Sequence, residues 1–350
     1  MNYSIKEILD NLPLKNKECY YWKLIQIKKS ENETNIIFSG INNNDKNDIL
    51  NIKQITLNGN EKRLKQIFKE LFISLSLRNQ VYFPNVNSII LSDNEQYLYI
   101  IIKENSIFLN SLINSNSFDY LKEKSLIKWI IYQITFGLFI LHNNNIIHHD
   151  IKPSNILINT SGGISICEFG SSIFKNEESF SYTLSYASPE FLIDNSYNDE
   201  KIDMWGLGVL MLELYTKQCP FFKYGNVTKG NLNEHIKYLL SFFGLSQNFS
   251  EENLKDLLKE DKKISIKLEK EILDKVGDKD AIDLIQKLLE FNPKQRISAE
   301  EALKSNYLKE FNHLDSLDIK KIDLSKYNEV MKKNFNKNQL IEYLKSNLNL

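Results

Sequence analysis

Cysteine is scarce in this 350-residue chain: Cys19, Cys167 and Cys219 are the only three, with no CxxC pair and no histidine at ligand spacing. That spacing argues against a disulfide framework and a zinc site, and a reducing compartment fits best. An excess of charge is missing too, with 44 basic against 45 acidic residues and a formal net charge of −1. General nucleic-acid and membrane-surface binders carry a basic surplus, so neither partner is expected. No run of about 18 apolar residues is available to span a bilayer. The first residues, MNYSIKEILDNLPLK, place charges where a secretory signal needs an apolar stretch. The expectation is a soluble intracellular protein, cytoplasmic or nuclear.

What is present is 42% hydrophobic residues, enough for one large core or two small ones. Asparagine runs at 42–44 and 143–145 read as loop filling, because long periodic apolar segments interrupt the bias. No internal repeat is visible. The first hundred residues are mainly strand-like: Tyr20–Lys29, Asn35–Gly40, Ile49–Ile55, Ser88–Ser92 and Gln96–Lys103, separated by polar turns. One helix interrupts them, from about Asn60 to Leu77, with Leu64, Ile67, Leu71, Ile73 and Leu75 near helical spacing. Beyond residue 106 helices dominate. Leu126, Ile130, Ile134, Leu138 and Leu141 form one stripe over 122–143, and further helical patterns follow at 201–216, 232–243, 251–259, 267–275 and 281–290. Between the first two of these lies a polar stretch, His148 to Glu200, where chemistry is expected because loops on rigid scaffolds carry sites.

That stretch opens with His148-His149-Asp150-Ile151-Lys152-Pro153-Ser154-Asn155. Phosphoryl transfer to a hydroxyl needs a carboxylate to orient and accept the proton, and an amide oxygen to hold a metal on the phosphates. An Asp with an Asn five positions on supplies both. The stretch resembles the catalytic loop of the eukaryotic protein kinases. Three further segments resemble motifs of that family in the same order: Thr183 to Glu190 (TLSYASPE), Asp203 to Gly208 (DMWGLG) and Leu289 to Arg296 (LEFNPKQR). The resemblance covers about residues 20–310. It implies an α+β, bilobal fold, a small β-rich N-lobe with one main helix and a larger, mainly helical C-lobe. The domain boundaries expected from it are 1–19 for an N-terminal extension, 20–105 and 106–312 for the lobes, and 313–350 for a helical tail.

The same resemblance implies residue roles. Asp150 is the base, Lys152 and Thr183 act beside it, Asn155 is a metal ligand, and Arg296 pairs with Glu190. Leu50-Asn51-Ile52-Lys53 stands where the family has VAIK, so Lys53 contacts phosphate and Glu70 on the following helix pairs with it, with Glu61 a rival. ATP and Mg²⁺ or Mn²⁺ are the implied cofactors. The length of Phe221 to Gly277 and the phrase EFNPKQRISAEEALKSNYL look like the group containing cyclin-dependent and MAP kinases.

Four departures weigh against activity. The segment Lys28 to Ile36, which aligns with the glycine-rich loop, has no glycine, so backbone N–H groups cannot cradle phosphates there. Cys167-Glu168-Phe169-Gly170 stands for DFG, moving the metal-binding carboxylate of Glu168 by roughly one C–C bond. Asn51 replaces a small alanine and needs hydrogen bonds of its own. His149 replaces the arginine that reads a phosphorylated activation segment, so that segment is expected to be ordered without phosphate, leaving Ser179, Ser181 and Tyr182 incidental. Lys103, where the family often has Glu, is a smaller departure.

Two functions remain open. One is a pseudokinase, a scaffold or allosteric partner of a regulatory protein that binds nucleotide weakly or not at all. The other is a slow Ser/Thr kinase acting on protein hydroxyls, with Glu168 and Asn155 holding the metal. The departures favour the first. In the tail, Leu340, Ile341, Leu344 and Leu348 form an apolar stripe expected to pack back on the large lobe.

Overall fold

The structure is a computed structural model. It describes residues 22–29, 35–42, 49–92, 94–102, 106–115, 124–175, 177, 183–194, 196–221, 235–236, 238–239, 270–314, 321–332 and 335–348. Cys19, the 1–19 extension, Ser30–Thr34, Lys103, Ser179, Ser181, Tyr182, Leu232 and the expected helix over 251–259 lie outside the described residues. The chain divides into two compact units. One holds residues up to 106 together with 322–350, and the other holds 107–321.

In chain order the described elements begin with β1 Trp22–Lys29, β2 Asn35–Asn42, β3 Ile49–Thr56, α1 Glu61–Ser76, β4 Val86–Leu91, β5 Tyr97–Ile102 and β6 Ser106–Phe108. Then come α2 Leu109–Ile113, α3 Lys124–Asn143, β7 Ile146–Ile147, β8 Ile156–Asn159, β9 Ile164–Ile166 and β10 Ile173–Phe174. Helices complete the chain: α4 Pro189–Ile193, α5 Lys201–Thr216, α6 Lys270–Val276, α7 Lys279–Leu288, α8 Ala299–Leu303, α9 Ser325–Met331 and α10 Lys337–Leu348.

The first unit is built on an antiparallel sheet in the order β1-β2-β3-β5-β4. Isoleucines fill its centre, with Ile52, Ile55, Leu98 and Ile100 all buried, as a β-branched stretch on a two-sided sheet requires. Helix α1 starts where Asn60 accepts a hydrogen bond from the Arg63 amide at 3.1 Å, which satisfies one of the helix's orphan N–H groups. The tail was expected on the large lobe, but its described residues group with the first unit. Helices α9 and α10 belong to this first unit and rest on α1, with Leu340, Ile341 and Leu344 buried. The physical reason is aromatic: Phe68 and Phe72 on α1 offer rings to Tyr327, Phe335 and Tyr343.

The second unit is organised by α3 and α5. Helix α3 is long and apolar enough, by length and composition, to cross a membrane, with 67% of its most apolar stretch buried inside the protein as a core helix. That hydropathy was not expected from a chain lacking long uninterrupted apolar runs; Gln133 and Thr135 break the run yet are buried, bonding to backbone carbonyls. Helix α5 is buried almost throughout, and Asp203 is the acidic residue of its first turn. Gly206 lets the chain at Ile151 come close: a Cβ there would sit 3.1 Å from the Ile151 carbonyl oxygen. Arg296 and Glu190 form the expected pair, bidentate at 2.6 and 2.8 Å and fully buried, and the guanidinium also donates to the carbonyls of Glu290 and Lys201.

Candidate active site

The loop after β7 is fixed from below by one carboxylate. Asp203 accepts from the backbone amides of His148 (2.8 Å) and His149 (2.7 Å) and from His142 Nε2 (3.0 Å). Burial pushes its acidity down, but these donors, His142 first, outweigh it and hold its carboxyl below the ordinary range. Sequence reasoning placed Asp203 in a motif without giving it this role. The signal was there: a lone carboxylate at the start of IDMWGLGVLMLELY must be buried and therefore paired.

His148 is buried, and burial lowers its pKa against the pull of Asp203. A neutral ring follows, donating from Nε2 to the Cys167 carbonyl at 3.0 Å and presenting Nδ1 to the Asp150 amide at 3.3 Å. His149 adopts a left-handed backbone at φ 71°, a region where histidine is enriched. Its ring meets Phe191 edge-on at 4.6 Å, and burial lowers its pKa too. It is a packed residue.

Asp150 then sits at the centre of a closed network. Thr183 Oγ1 donates to its Oδ1 at 2.6 Å, Lys152 Nζ contacts its Oδ2 at 2.6 Å, and Asn155 Nδ2 donates to Oδ2 and to the Asp150 carbonyl, each at 2.8 Å. Lys152 also bonds to Thr183 Oγ1. Burial raises the Asp150 pKa, yet the Lys152 charge and the hydrogen bonds from Lys152 and Thr183 prevail and hold it below the ordinary carboxylate value. Asp150 is therefore an ionised acceptor, suited to orienting a hydroxyl, with both oxygens already bonded within the protein.

The β8–β9 hairpin brings the other expected ligands together. Ile156 pairs with Ile166, so Asn155 and Cys167 lie side by side where the strands end, and the Cys167 amide donates to the Asn155 carbonyl at 2.9 Å. Glu168 follows immediately, half-buried, with a left-handed backbone at φ 71° and ψ 61°. Among the described residues no cluster of three or more His, Cys, Asp or Glu side chains is placed to hold a metal. The Asn155 amide oxygen and the Glu168 carboxylate are nonetheless hard oxygen donors of the kind Mg²⁺ takes, with water and phosphate oxygens as the usual remainder.

In the first unit Lys53 Nζ pairs with Glu70 Oε1, both buried. The rival Glu61 pairs instead with Lys65 at 2.8 Å and accepts from the Phe335 amide. Asn51 stands two residues from Lys53 in β3, hence on the same face of the sheet. It is buried, and its Nδ2 has no hydrogen-bond partner among the described residues. The hydrogen bond that this amide was expected to need is thus not made by the donor. β1 and β2 pair antiparallel as far as Lys29 and Ile36, so the segment standing for a glycine-rich loop connects a hairpin.

A model of the protein kinase domain family matches residues 36–308. This chain belongs to that family. It is 29% identical over 250 residues to mitogen-activated protein kinase sty1 of Schizosaccharomyces pombe, spanning 70% of this chain and 68% of that one. It is 30% identical over 260 residues to mitogen-activated protein kinase hog1 of Aspergillus clavatus, covering 70% of this chain and 65% of that relative. Mitogen-activated protein kinase 10 of Arabidopsis thaliana is 33% identical over 196 residues, 53% of this chain and 48% of its own length. The kinase domain described here therefore stands near the mitogen-activated group of Ser/Thr protein kinases, with the fold expected of it, a β-rich N-terminal unit and a helical C-terminal unit.

Proposed function

We propose that this kinase domain is a catalytically impaired pseudokinase, acting inside the cell as a scaffold or allosteric partner of another protein. The observation that carries the reading is Glu168. A residue longer by one methylene occupies the metal-binding position, on a left-handed backbone that non-glycine residues other than Asn, Asp and His rarely adopt. Mg²⁺ tolerates little departure from octahedral geometry at about 2.0–2.1 Å, and a ~1 Å misplacement can cost ~10²-fold in rate. Two further features act in the same direction: the absence of glycine over 28–36 and the buried Asn51 Nδ2, which has no hydrogen-bond partner among the described residues.

The family generally uses ATP with Mg²⁺. When bound, the metal would neutralise charge on the phosphates, and Asn155 and Glu168 would hold it. Lys53 would contact phosphate, kept in place by Glu70, while Asp150 orients the acceptor hydroxyl and Lys152 and Thr183 hold Asp150. The intact Asp150 network favours the second reading, a slow kinase for protein Ser/Thr hydroxyls.

A thermal-shift titration with ATP, with and without Mg²⁺ or Mn²⁺, separates the two. With a Kd of ~1 mM, 1 mM ATP adds about 0.4 kcal/mol, roughly 1 °C, and the metal changes little. A shift of several degrees at micromolar ATP that requires Mg²⁺ would overturn the pseudokinase reading.

A further inference from the structure

The link from β3 to α1 runs from Leu57 to Asn60 and is held at both ends. The Leu57 amide donates to the Gln96 carbonyl at 2.7 Å, and Asn60 Oδ1 caps α1 by accepting from the Arg63 amide at 3.1 Å. Between these anchors the chain turns at Gly59, whose φ of 119° is a backbone that glycine adopts without strain. A Cβ there would stand 3.0 Å from Arg63 Cβ and Cγ. Backbone and space both require glycine, so Asn58 is followed by a residue with no side chain. Asn58-Gly59 is the only Asn-Gly step in the chain. Asn58 is exposed, and among the described residues no hydrogen bond uses its side-chain amide or the Gly59 N–H. The Asn60 side chain, by contrast, is engaged in the cap and is followed by Glu61.

We propose that Asn58 is a self-modification site, deamidated through the main-chain nitrogen of Gly59, and that its isoaspartyl product loosens the cap of α1. The Gly59 nitrogen gives its proton to solvent and bonds to Asn58 Cγ. The Cγ–Nδ2 bond breaks, and Nδ2 leaves as ammonia, taking up a proton in turn. Water then opens the cyclic imide at either carbonyl, leaving an aspartyl or an isoaspartyl residue at 58. Solvent water is the only co-reactant. Glycine offers no Cβ to obstruct ring closure, and the positive end of α1 favours the nitrogen anion that attacks. The isoaspartyl form has one more main-chain carbon between the two anchors. Leu57 is buried and Asn60 exposed, so the cap is the end that gives. This inference holds whether or not the chain transfers phosphate.

The test ages the full chain at neutral and mildly alkaline pH and follows the tryptic peptide 54–62, which holds both asparagines, by mass spectrometry. An unaged sample is the blank for conversion during digestion, and a urea-unfolded sample reports the sequence without its turn. Asn58 is expected to convert about tenfold or more faster than Asn60, and faster at the higher pH, with an isoaspartyl form that chromatography resolves from the aspartyl one. Asn58→Gln, a conservative change at an exposed position, is expected to abolish conversion at 58. Hydrogen–deuterium exchange over 61–64 then reads the cap. It is expected to run about fivefold faster in the isoaspartyl fraction, and at the unaged rate in aged Asn58→Gln and in Asn58→Asp, which adds the charge without the extra carbon. If Asn58 keeps its amide in the folded chain while converting in urea, the turn protects it and the proposal is overturned. Conversion without any change in exchange over 61–64 overturns the loosening of the cap.

Discussion

Glu168 offers the sharpest perturbation, because its backbone and its carboxylate can be tested separately. At φ 71° and ψ 61° it lies in the left-handed region, which costs an L-residue roughly 1–2 kcal/mol, whereas glycine enters it freely but gives up about 0.5–1 kcal/mol of chain entropy. The difference leaves glycine ahead by about 0.5–1 kcal/mol. Glu168 also takes part in an interaction of its own, so the fair comparison is Glu168→Gly against Glu168→Ala. The glycine variant is expected to melt about 1–4 °C above the alanine variant. Equal melting temperatures would show that the left-handed backbone carries no strain.

The carboxylate is tested by Glu168→Asp, which shortens the side chain and suits the left-handed backbone better. If a misplaced metal ligand were the dominant lesion, phosphotransfer to a protein substrate would rise by up to ~10²-fold. Because no glycine stands at 28–36 to admit the phosphates, the expected outcome is near-zero wild-type activity and a gain of at most a few-fold. Radiolabelled phosphate transfer with Asp150→Asn as the blank measures it. A hundredfold gain, or wild-type turnover in the range of about 1–100 s⁻¹ abolished by Asp150→Asn, would refute the reasoning.

Arg296→Met should destabilise the second unit by about 3–5 kcal/mol by leaving Glu190 buried without its cation, and the double variant with Glu190→Met should recover much of that loss in denaturant melts. His148 and His149 have lowered pKa values in the fold, so the unfolded chain binds more protons and stability should fall as pH drops below about 6.5, their ordinary value; His149→Asn, which tolerates the left-handed backbone, should flatten the fall between pH 7 and 5 in thermal melts. Asp150 and Asp203 add acid lability at lower pH, since carboxyls held below 3.8 contribute stability that is lost as pH falls through their folded values. Asn51→Ala removes a buried donor without a partner among the described residues and should raise stability by about 1 kcal/mol while enlarging the ATP-induced melting shift; a loss of both would show that the amide is satisfied in solution.

The parts of this molecule that were legible in its sequence are those where one local rule acts alone. Helix α1 was readable from Asn60 and a roughly periodic apolar face, α5 from an apolar run bounded at Lys201 and Thr216, and the Lys53–Glu70 and Arg296–Glu190 pairs from motif spacing. The docking of the tail was not readable. The periodicity of Leu340, Ile341 and Leu344 says that a face is buried but not against which partner, and the rings of Phe68 and Phe72 that decide it stand some 250 residues earlier. The Asp150 network was half-readable, and its completion changes what the retained residues mean. Retention of Asp150, Lys152, Asn155 and Thr183 weighs for activity only if those side chains serve substrate alone. Here each bonds to another: Lys152 and Asn155 to one carboxylate oxygen, Thr183 to the other, and the loop beneath them to Asp203. Removing any one would strand a partly buried charge or donor, which costs about 1–3 kcal/mol in a domain whose whole stability is about 5–15 kcal/mol. Fold stability is therefore reason enough for these four residues to stand together. The glycines absent from 28–36, Asn51 and Glu168 are the positions that weigh on activity, because each departs from the family's pattern where nucleotide and metal would bind.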